Sequence, residues 1–384
     1  MIQNSKRKVI SFFGTRPEVI KLAPVIMELN RCQSIRHITC NTGQHWEMVQ
    51  PLLKWFRIKP DLSLQLMKKD QSLSQFAARA LTKTDKVLEK IKPDIVLCQG
   101  DTTTAMIVSL AAFHQKIKIA HVEAGLRSWN RFAPWPEEIN RRIIDLICDY
   151  YFAPTLQAKK NLLEEGIPSS AIWVTGNSTI DALNWTLKKI QSHRLLLSSY
   201  PCALTCLLRR KDNSRLPLVI ITAHRRESFD KDMLSIARAI KILATKYPHL
   251  LWVFPVHLNP HVQAVMLKQL RNVPNLLLTK PLDYSIFCYL LSRCYFVLTD
   301  SGGLQEECPS LGTPTLVMRT VTERPEGIQS GNVKLVGTTI HTIIQGVSEI
   351  LENPAIYRKM SKKRYPFGDG KAAGRIVLAL KHLL

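Results

Sequence analysis

Acidic residues are in short supply in this chain. Its 384 residues hold 30 Asp and Glu against 53 Lys and Arg, a formal net charge of +23. Such an imbalance suits an anionic ligand, a nucleic acid or an acidic membrane face without choosing among them. Aromatics are also few, at 7%, and the basic residues are dispersed rather than clustered with aromatics between them. A nucleic-acid-binding module needs that interleaving, so no nucleic-acid partner is expected. Long apolar runs are missing: stretches such as 218–221 and 250–254 fall far short of the ~20 residues that span a bilayer, and no membrane insertion is expected. The basic Lys6-Arg7-Lys8 is followed by an apolar run that stops at Gly14-Thr15-Arg16. That run is too short for the ~7–15-residue core of a signal peptide. Paired cysteines are missing as well. The 9 cysteines contain no CxxC, and Cys202 and Cys206 are the closest two. Neither a disulfide framework nor a zinc knuckle is implied, and reduced thiols in a cytoplasm are the expectation.

What is present is a strand, loop, helix rhythm. The run 9–13 ends at Gly14 and is followed by Val19, Ile20, Leu22, Ala23, Val25, Ile26 and Leu29 at helical spacing, with Pro17 at a first helical position. A buried strand over 94–98, a loop at Gln99-Gly100-Asp101 and a helix over 103–114 come next. Then follow a strand over 117–124, a helix opening at Pro136 and a strand over 150–153. The pattern degrades over 184–215 into Lys, Arg and Ser, which marks a domain boundary. It restarts with strands over 218–222, 251–254, 276–279, 295–298 and 315–318, separated by helices. The predicted fold class is therefore α/β: two Rossmann-like doubly wound parallel-sheet domains facing a central cleft, with ligands at the carboxyl ends of strands. The predicted division is 1–180 and 181–370, with 184–215 a variable segment and a C-terminal helix over about 371–384 packing back on the first domain.

Candidate site residues cluster at strand-to-helix junctions. Ser301-Gly302-Gly303 offers a helix start without side chains in the way of a phosphate; a tight turn needing glycine explains it equally well, and the pattern leaves the two open. The segment matches neither GxGxxG nor GxxxxGK[ST]. Arg16 with Lys21 on its helix, and His224-Arg225-Arg226 after the strand at 218–222, add two cationic junctions. Three of these pointing into one cleft suggest a diphosphate. Asp101 reads first as the N-cap of the following helix. Glu123 ends an otherwise apolar strand, and acids are seldom buried unless paired, which favours a site role. Glu137 and Glu138 follow Pro136 in a first helical turn, where negative charge is ordinary. Glu306 or Glu307, one turn beyond the glycine pair, is suited to accept ribose hydroxyls. His257 and His261 lack a completing carboxylate, so no metal is expected.

Several blocks resemble the non-hydrolysing UDP-N-acetylglucosamine 2-epimerases. They are Phe13-Gly14-Thr15-Arg16-Pro17-Glu18, Gly100-Asp101-Thr102-Thr103-Thr104, His121 to Arg127, Pro134-Trp135-Pro136-Glu137-Glu138, Thr175-Gly176-Asn177, His224 to Ser228, Pro255 to Pro260 and the run from Thr299 to Glu326. The resemblance implies a glycosyltransferase-B-like fold and a homodimer that interconverts UDP-GlcNAc and UDP-ManNAc without an added cofactor, supplying UDP-ManNAc for polysaccharide synthesis. A hydrolysing 2-epimerase, releasing free ManNAc and UDP, is the alternative. The resemblance further implies that Arg16, Lys21 and His224 contact the diphosphate region and that Ser301, Gly302 and Gly303 cradle phosphate. By the same resemblance Glu307 meets the ribose, Phe287 packs near uracil and Arg324 adds a nucleotide contact. Asp101, Glu123 and Glu137, with His224, match the catalytic groups. Two positions depart from the pattern, Leu282 where a glutamine is common and Cys308 where a smaller residue is usual.

Overall fold

A computed structural model describes residues 6–68, 71–192, 217–223 and 231–384. By its internal contacts the chain divides into two units, Met1–Ala182 with Phe367–Leu384, and Leu183–Pro366. In the first, the order is β1 (Arg7–Phe13), α1 (Arg16–Arg31), β2 (Ile35–Asn41), α2 (Trp46–Phe56), β3 (Leu62–Ser63), α3 (Leu73–Ile91), β4 (Ile95–Gln99) and α4 (Thr103–His114). Then come β5 (Lys118–Val122), α5 (Glu137–Ile147), β6 (Tyr150–Ala153), α6 (Leu156–Glu164), β7 (Ile172–Val174) and α7 (Ser178–Ser192), the last crossing the division. The strands form one sheet in the order β3-β2-β1-β4-β5-β6-β7, with neighbours parallel.

The second unit holds β8 (Leu218–Thr222), α8 (Lys231–Lys246), β9 (Leu251–Pro255), α9 (Pro260–Leu270), β10 (Leu276–Thr279), α10 (Tyr284–Leu291), β11 (Phe296–Thr299) and α11 (Gly302–Leu311). It continues with β12 (Thr315–Val317), α12 (Pro325–Gln329), β13 (Val333–Leu335), α13 (Ile340–Glu352) and α14 (Pro354–Met360). Its parallel sheet runs β10-β9-β8-β11-β12-β13. The C-terminal α15 (Ala372–Leu383) belongs to the first unit; two of its first-turn amides, Ala372 and Ala373, donate to the Asp181 carboxylate at 3.1 and 2.9 Å.

The continuous apolar strands form because both sheet faces are covered, which leaves no solvent side to alternate toward. Every residue of β4 and of β11 is buried. Ile10, Phe12, Val96, Val108 and Ile119 share one core of the first unit. Trp252, Phe254, Phe296 and Leu316 share that of the second, with the Trp252 and Phe296 rings edge to face at 5.9 Å. Among the described residues the cysteines are free thiols, and no helix is long and apolar enough to cross a membrane.

Each sheet reverses direction once. In the first unit β1 lies between β2 and β4, so the strand order switches between β1 and β4; in the second it switches between β8 and β11. Such reversals splay the following loops apart and leave a crevice at the carboxyl ends. The segments at those points are Gly14-Thr15-Arg16 and Gly100-Asp101-Thr102 in the first unit, and Ala223 and Asp300-Ser301-Gly302 in the second. Among the described residues, the topology thus places the Arg16, Asp101 and Ser301-Gly302-Gly303 junctions at switch points, where ligands bind in this fold class.

Candidate active site

In the first unit, Glu18 ties the two switch-point loops together. Its carboxylate accepts the Gly14 and Thr15 amides at 2.8 and 2.7 Å, the Thr15 hydroxyl at 2.9 Å, and the Thr102 hydroxyl from the other loop at 2.5 Å. Burial pushes its pKa up despite these donors. Sequence reading passed over Glu18, because an acid in a first helical turn is ordinary. Arg16 is the first residue of α1, where the helix dipole disfavours a cation.

Glu123 is buried and its carboxylate is ringed by donors. Lys21 Nζ and Gln99 Nε2 both donate to it, and Asn177 Nδ2 does so at 3.2 Å. The expected strand over 117–124 is shorter than predicted: β5 ends at Val122 and Glu123 takes a left-handed backbone with φ +70°. That conformation is uncommon for a residue other than glycine. It turns the side chain out of the strand's alternation and into the β1–β4 crevice, where Lys21 and Gln99 reach it. Lys21 therefore supplies the charge that a buried carboxylate requires.

The capping role expected of Asp101 is not observed. Thr102 is the N-cap of α4, its hydroxyl accepting the Ala105 amide at 3.0 Å. Asp101 instead ion-pairs through Oδ2 with Arg141 of α5, and its carbonyl accepts from Asn140 Nδ2 at 2.9 Å. Thr102 already satisfies the helix end, which frees the aspartate for a partner forty residues away. Glu137 opens α5, half-buried, beside the wholly buried Glu138.

Behind these loops lies a buried ionic network. His121 bridges Asp145 Oδ1 at 2.6 Å and the Gly100 carbonyl at 2.8 Å. Burial alone would lower the His121 pKa, but the Asp145 carboxylate overrides it and the value rises to about 9. The ring is thus an imidazolium donating from both nitrogens. Burial would raise the Asp145 pKa, but His121 and Arg127 hold it below the ordinary aspartate value. Asp145 also accepts the Gly125 amide at 3.1 Å. One network therefore anchors the loop before Asp101 and the loop after Glu123.

In the second unit, α11 begins at Gly302 with Ser301 as N-cap, and the serine side chain makes no capping bond. The first-turn amides are left to another acceptor. The two glycines differ. A Cβ on Gly302 would lie 2.6 Å from the Arg324 guanidinium, whereas one on Gly303 would meet nothing nearer than Ser301 Oγ at 4.0 Å. Gly302 therefore answers to internal packing, and Gly303 leaves open space over the helix start. Arg324 is buried beneath the pair, bonded to Glu306 at 2.6 Å and to Glu323. Glu306 is thus committed to Arg324, and Glu307, the next residue of α11, is buried as well. Phe287 lies on α10, half-buried against the Ile220–Val253–Leu290 core. His224 lies outside the described residues.

These arrangements can be set beside known proteins. A family profile described as UDP-N-acetylglucosamine 2-epimerase matches residues 27–381. The chain belongs to that family. It is accordingly an isomerase acting on a nucleotide sugar. The Neisseria meningitidis serogroup A UDP-N-acetylglucosamine 2-epimerase is 45% identical over 376 residues, 97% of this chain and 99% of the relative. That of Campylobacter jejuni is 44% identical over 371 residues, 97% and 96% of the two chains. The solved Neisseria meningitidis epimerase bound to UDP-GlcNAc superposes with a TM-score of 0.92 at 44% identity, covering 98% of this chain and 100% of that one. Acinetobacter baumannii MurG, at 14% identity and a TM-score of 0.57, shares the fold alone. The fold class is as expected, two Rossmann-like domains of glycosyltransferase-B-like type.

Proposed function

We propose that this chain is a non-hydrolysing UDP-GlcNAc 2-epimerase, reversibly forming UDP-ManNAc for polysaccharide synthesis, and that it acts as a cytoplasmic homodimer without an added cofactor. The observation that carries the reading is the pair of acids, Asp101 and Glu123, on the loops after adjacent strands β4 and β5, each held by a cation. The chemistry asks for such a pair. The C2 hydrogen of the sugar is not α to a carbonyl, so simple deprotonation gives a poorly stabilised anion. Coupled elimination avoids it: the C2–H bond breaks with the proton passing to one acid, the C1–O bond breaks with its electrons leaving on UDP, and C1=C2 forms. The product is a 2-acetamidoglucal. UDP then adds back at C1 while a second acid protonates the opposite face of C2.

A general acid or base in such a step contributes ~10²–10⁴-fold. Asp101, Glu123 and Glu137 share these roles. The charge developing on the departing diphosphate falls to Arg16, to His224 and to the first-turn amides of α11 beside Ser301, Gly302 and Gly303. Lys21 assists by donating to the Glu123 carboxylate and holding it in place. Glu307, Phe287 and Arg324 hold or shape the nucleoside end.

The test is product identity. Purified enzyme given UDP-GlcNAc is expected to yield UDP-ManNAc with the diphosphate intact by ³¹P NMR, reaching an equilibrium mixture approached equally from UDP-ManNAc. Accumulation of free ManNAc and UDP would establish the hydrolysing alternative instead.

A further inference from the structure

The turn between β5 and α5 contains an outlier that the acid assignment does not use. Trp129 sits at φ +60°, a strained conformation for a bulky residue, with its side chain 57% exposed beside Phe132 at 67% and Trp135 at 50%. One carboxylate holds this turn. Glu138, fully buried, accepts the Ser128 and Trp129 amides at 3.0 and 3.2 Å. Its charge is met by Arg141, one turn along α5, through NH1 at 3.1 Å. The other amino group of the same guanidinium ends on Asp101 Oδ2, while the neighbouring Asn140 holds the Asp101 carbonyl. Consecutive residues of α5 thus grip Asp101 at both its backbone and its carboxylate. The planar fork gives each carboxylate its own amino group in a fixed geometry, whereas a lysine ammonium would have to share one point charge between them.

We propose that Arg141 is a positioning residue for proton transfer, fixing the direction of the Asp101 carboxylate, and that Glu138 fixes Arg141 while pinning the aromatic turn. The inference rests on Asp101 acting at C2 of the sugar. It predicts that damage to Arg141 is felt in the reaction chiefly through Asp101.

The experiment measures kcat and KM for UDP-GlcNAc, and UDP affinity by calorimetry, for wild type, Arg141→Lys, Asp101→Asn and the double variant. Arg141→Lys is expected to lower kcat about 10–100-fold, as small misplacements of catalytic groups do, with KM and UDP affinity within about threefold. Added to Asp101→Asn it is expected to cost less than about twofold more, because residues acting as one unit are not additive. Millimolar guanidinium is expected to restore part of the rate to Arg141→Ala. Retained kcat in Arg141→Lys, losses that multiply in the double variant, or a loss carried by KM would overturn the proposal. If Arg141→Lys does not fold, Glu138→Gln serves: it must show the same kcat-only loss and the same non-additivity with Asp101→Asn, and unchanged kcat overturns the inference. A wild type that forms no UDP-ManNAc overturns the acid/base reading along with it; an active wild type with unaffected variants overturns the positioning role alone.

Discussion

Replacing Lys21 by methionine removes the cation from a carboxylate that has almost no access to water. The side chains of Lys21 and Glu123 are 10% and 5% exposed, so solvent cannot take over the screening that the ammonium provides. Breaking a buried pair by deleting one member costs about 3–5 kcal/mol, chiefly because the remaining charge is left uncompensated. For a unit of this size 1 kcal/mol lowers the melting temperature by roughly 2–4 °C, so Lys21→Met is expected to lose about 6–20 °C. Gln99 and Asn177 still donate to Glu123, which places the loss toward the lower end. Converting the acid as well, in Lys21→Met/Glu123→Gln, removes the stranded charge while keeping an acceptor for Gln99. The double variant should recover at least half of the lost stability and remain inactive. Urea denaturation of the four proteins in the cycle provides the measurement. A single variant within about 1 kcal/mol of wild type, or a double variant less stable than the single, would refute the claim that the buried Lys21–Glu123 pair stabilises the fold.

Four further outcomes follow from the same geometry. Thr102→Ala should cost about 1 kcal/mol for the lost cap and somewhat more for the bond to Glu18, whereas Asp101→Asn should leave the melting temperature nearly unchanged while lowering turnover about 10²-fold or more; equal destabilisation by both would return Asp101 to the capping role. Gly302→Ala should destabilise the second unit by about 1–3 kcal/mol, since its methyl group has no room beside Arg324. Gly303→Ala should fold normally yet bind UDP at least about tenfold more weakly, a loss of ~1.4 kcal/mol, and calorimetry showing native affinity would remove the α11 start from the phosphate site. The His121 pKa, about 9 when folded against 6.5 unfolded, makes its contribution to stability complete below pH ~6.5 and lost as pH rises through about 9, by about 3 kcal/mol in all. Urea midpoints at pH 6, 8 and 10 should fall on that alkaline limb in wild type and flatten in His121→Gln; parallel curves would dissociate the imidazolium from stability.

The fold class was legible because parallel strands covered on both faces appear as uninterrupted apolar runs, and the β4, β8 and β11 segments have that form. Short or mixed strands did not register: β3 has two residues and β2 carries Arg36 and His37, so neither stands out from a loop. The extent of β5 was overestimated because Val122 and Ala124 flank Glu123 with apolar residues, and a pattern of residue types carries no record of a backbone turning to φ +70°. Within the site, residues marked by unusual context were found, Glu123 among apolar neighbours and the Ser-Gly-Gly junction. Glu18, Gln99, Glu138 and Arg141 were assigned no role, because each has an ordinary local explanation as a first-turn acid, a helix-face polar group or, for Gln99, a strand-end residue. Some decisive partners lie far along the chain, Thr102 for Glu18, Glu123 for Gln99 and Asp101 for Arg141, and only the folded sheet brings them together. Asp101 and Thr102 are both good capping residues, and the choice between them is made by Arg141.

The central claim is that carboxylates at the carboxyl ends of β4 and β5 move the proton at C2, and solvent exchange tests it directly. With UDP-GlcNAc in deuterated water, ¹H NMR should show the C2 proton of both epimers replaced by deuterium at a rate comparable to epimerisation, and Asp101→Asn or Glu123→Gln should slow that exchange by about 10²-fold or more. Epimerisation without deuterium at C2, or exchange at the wild-type rate in either variant, would contradict the account.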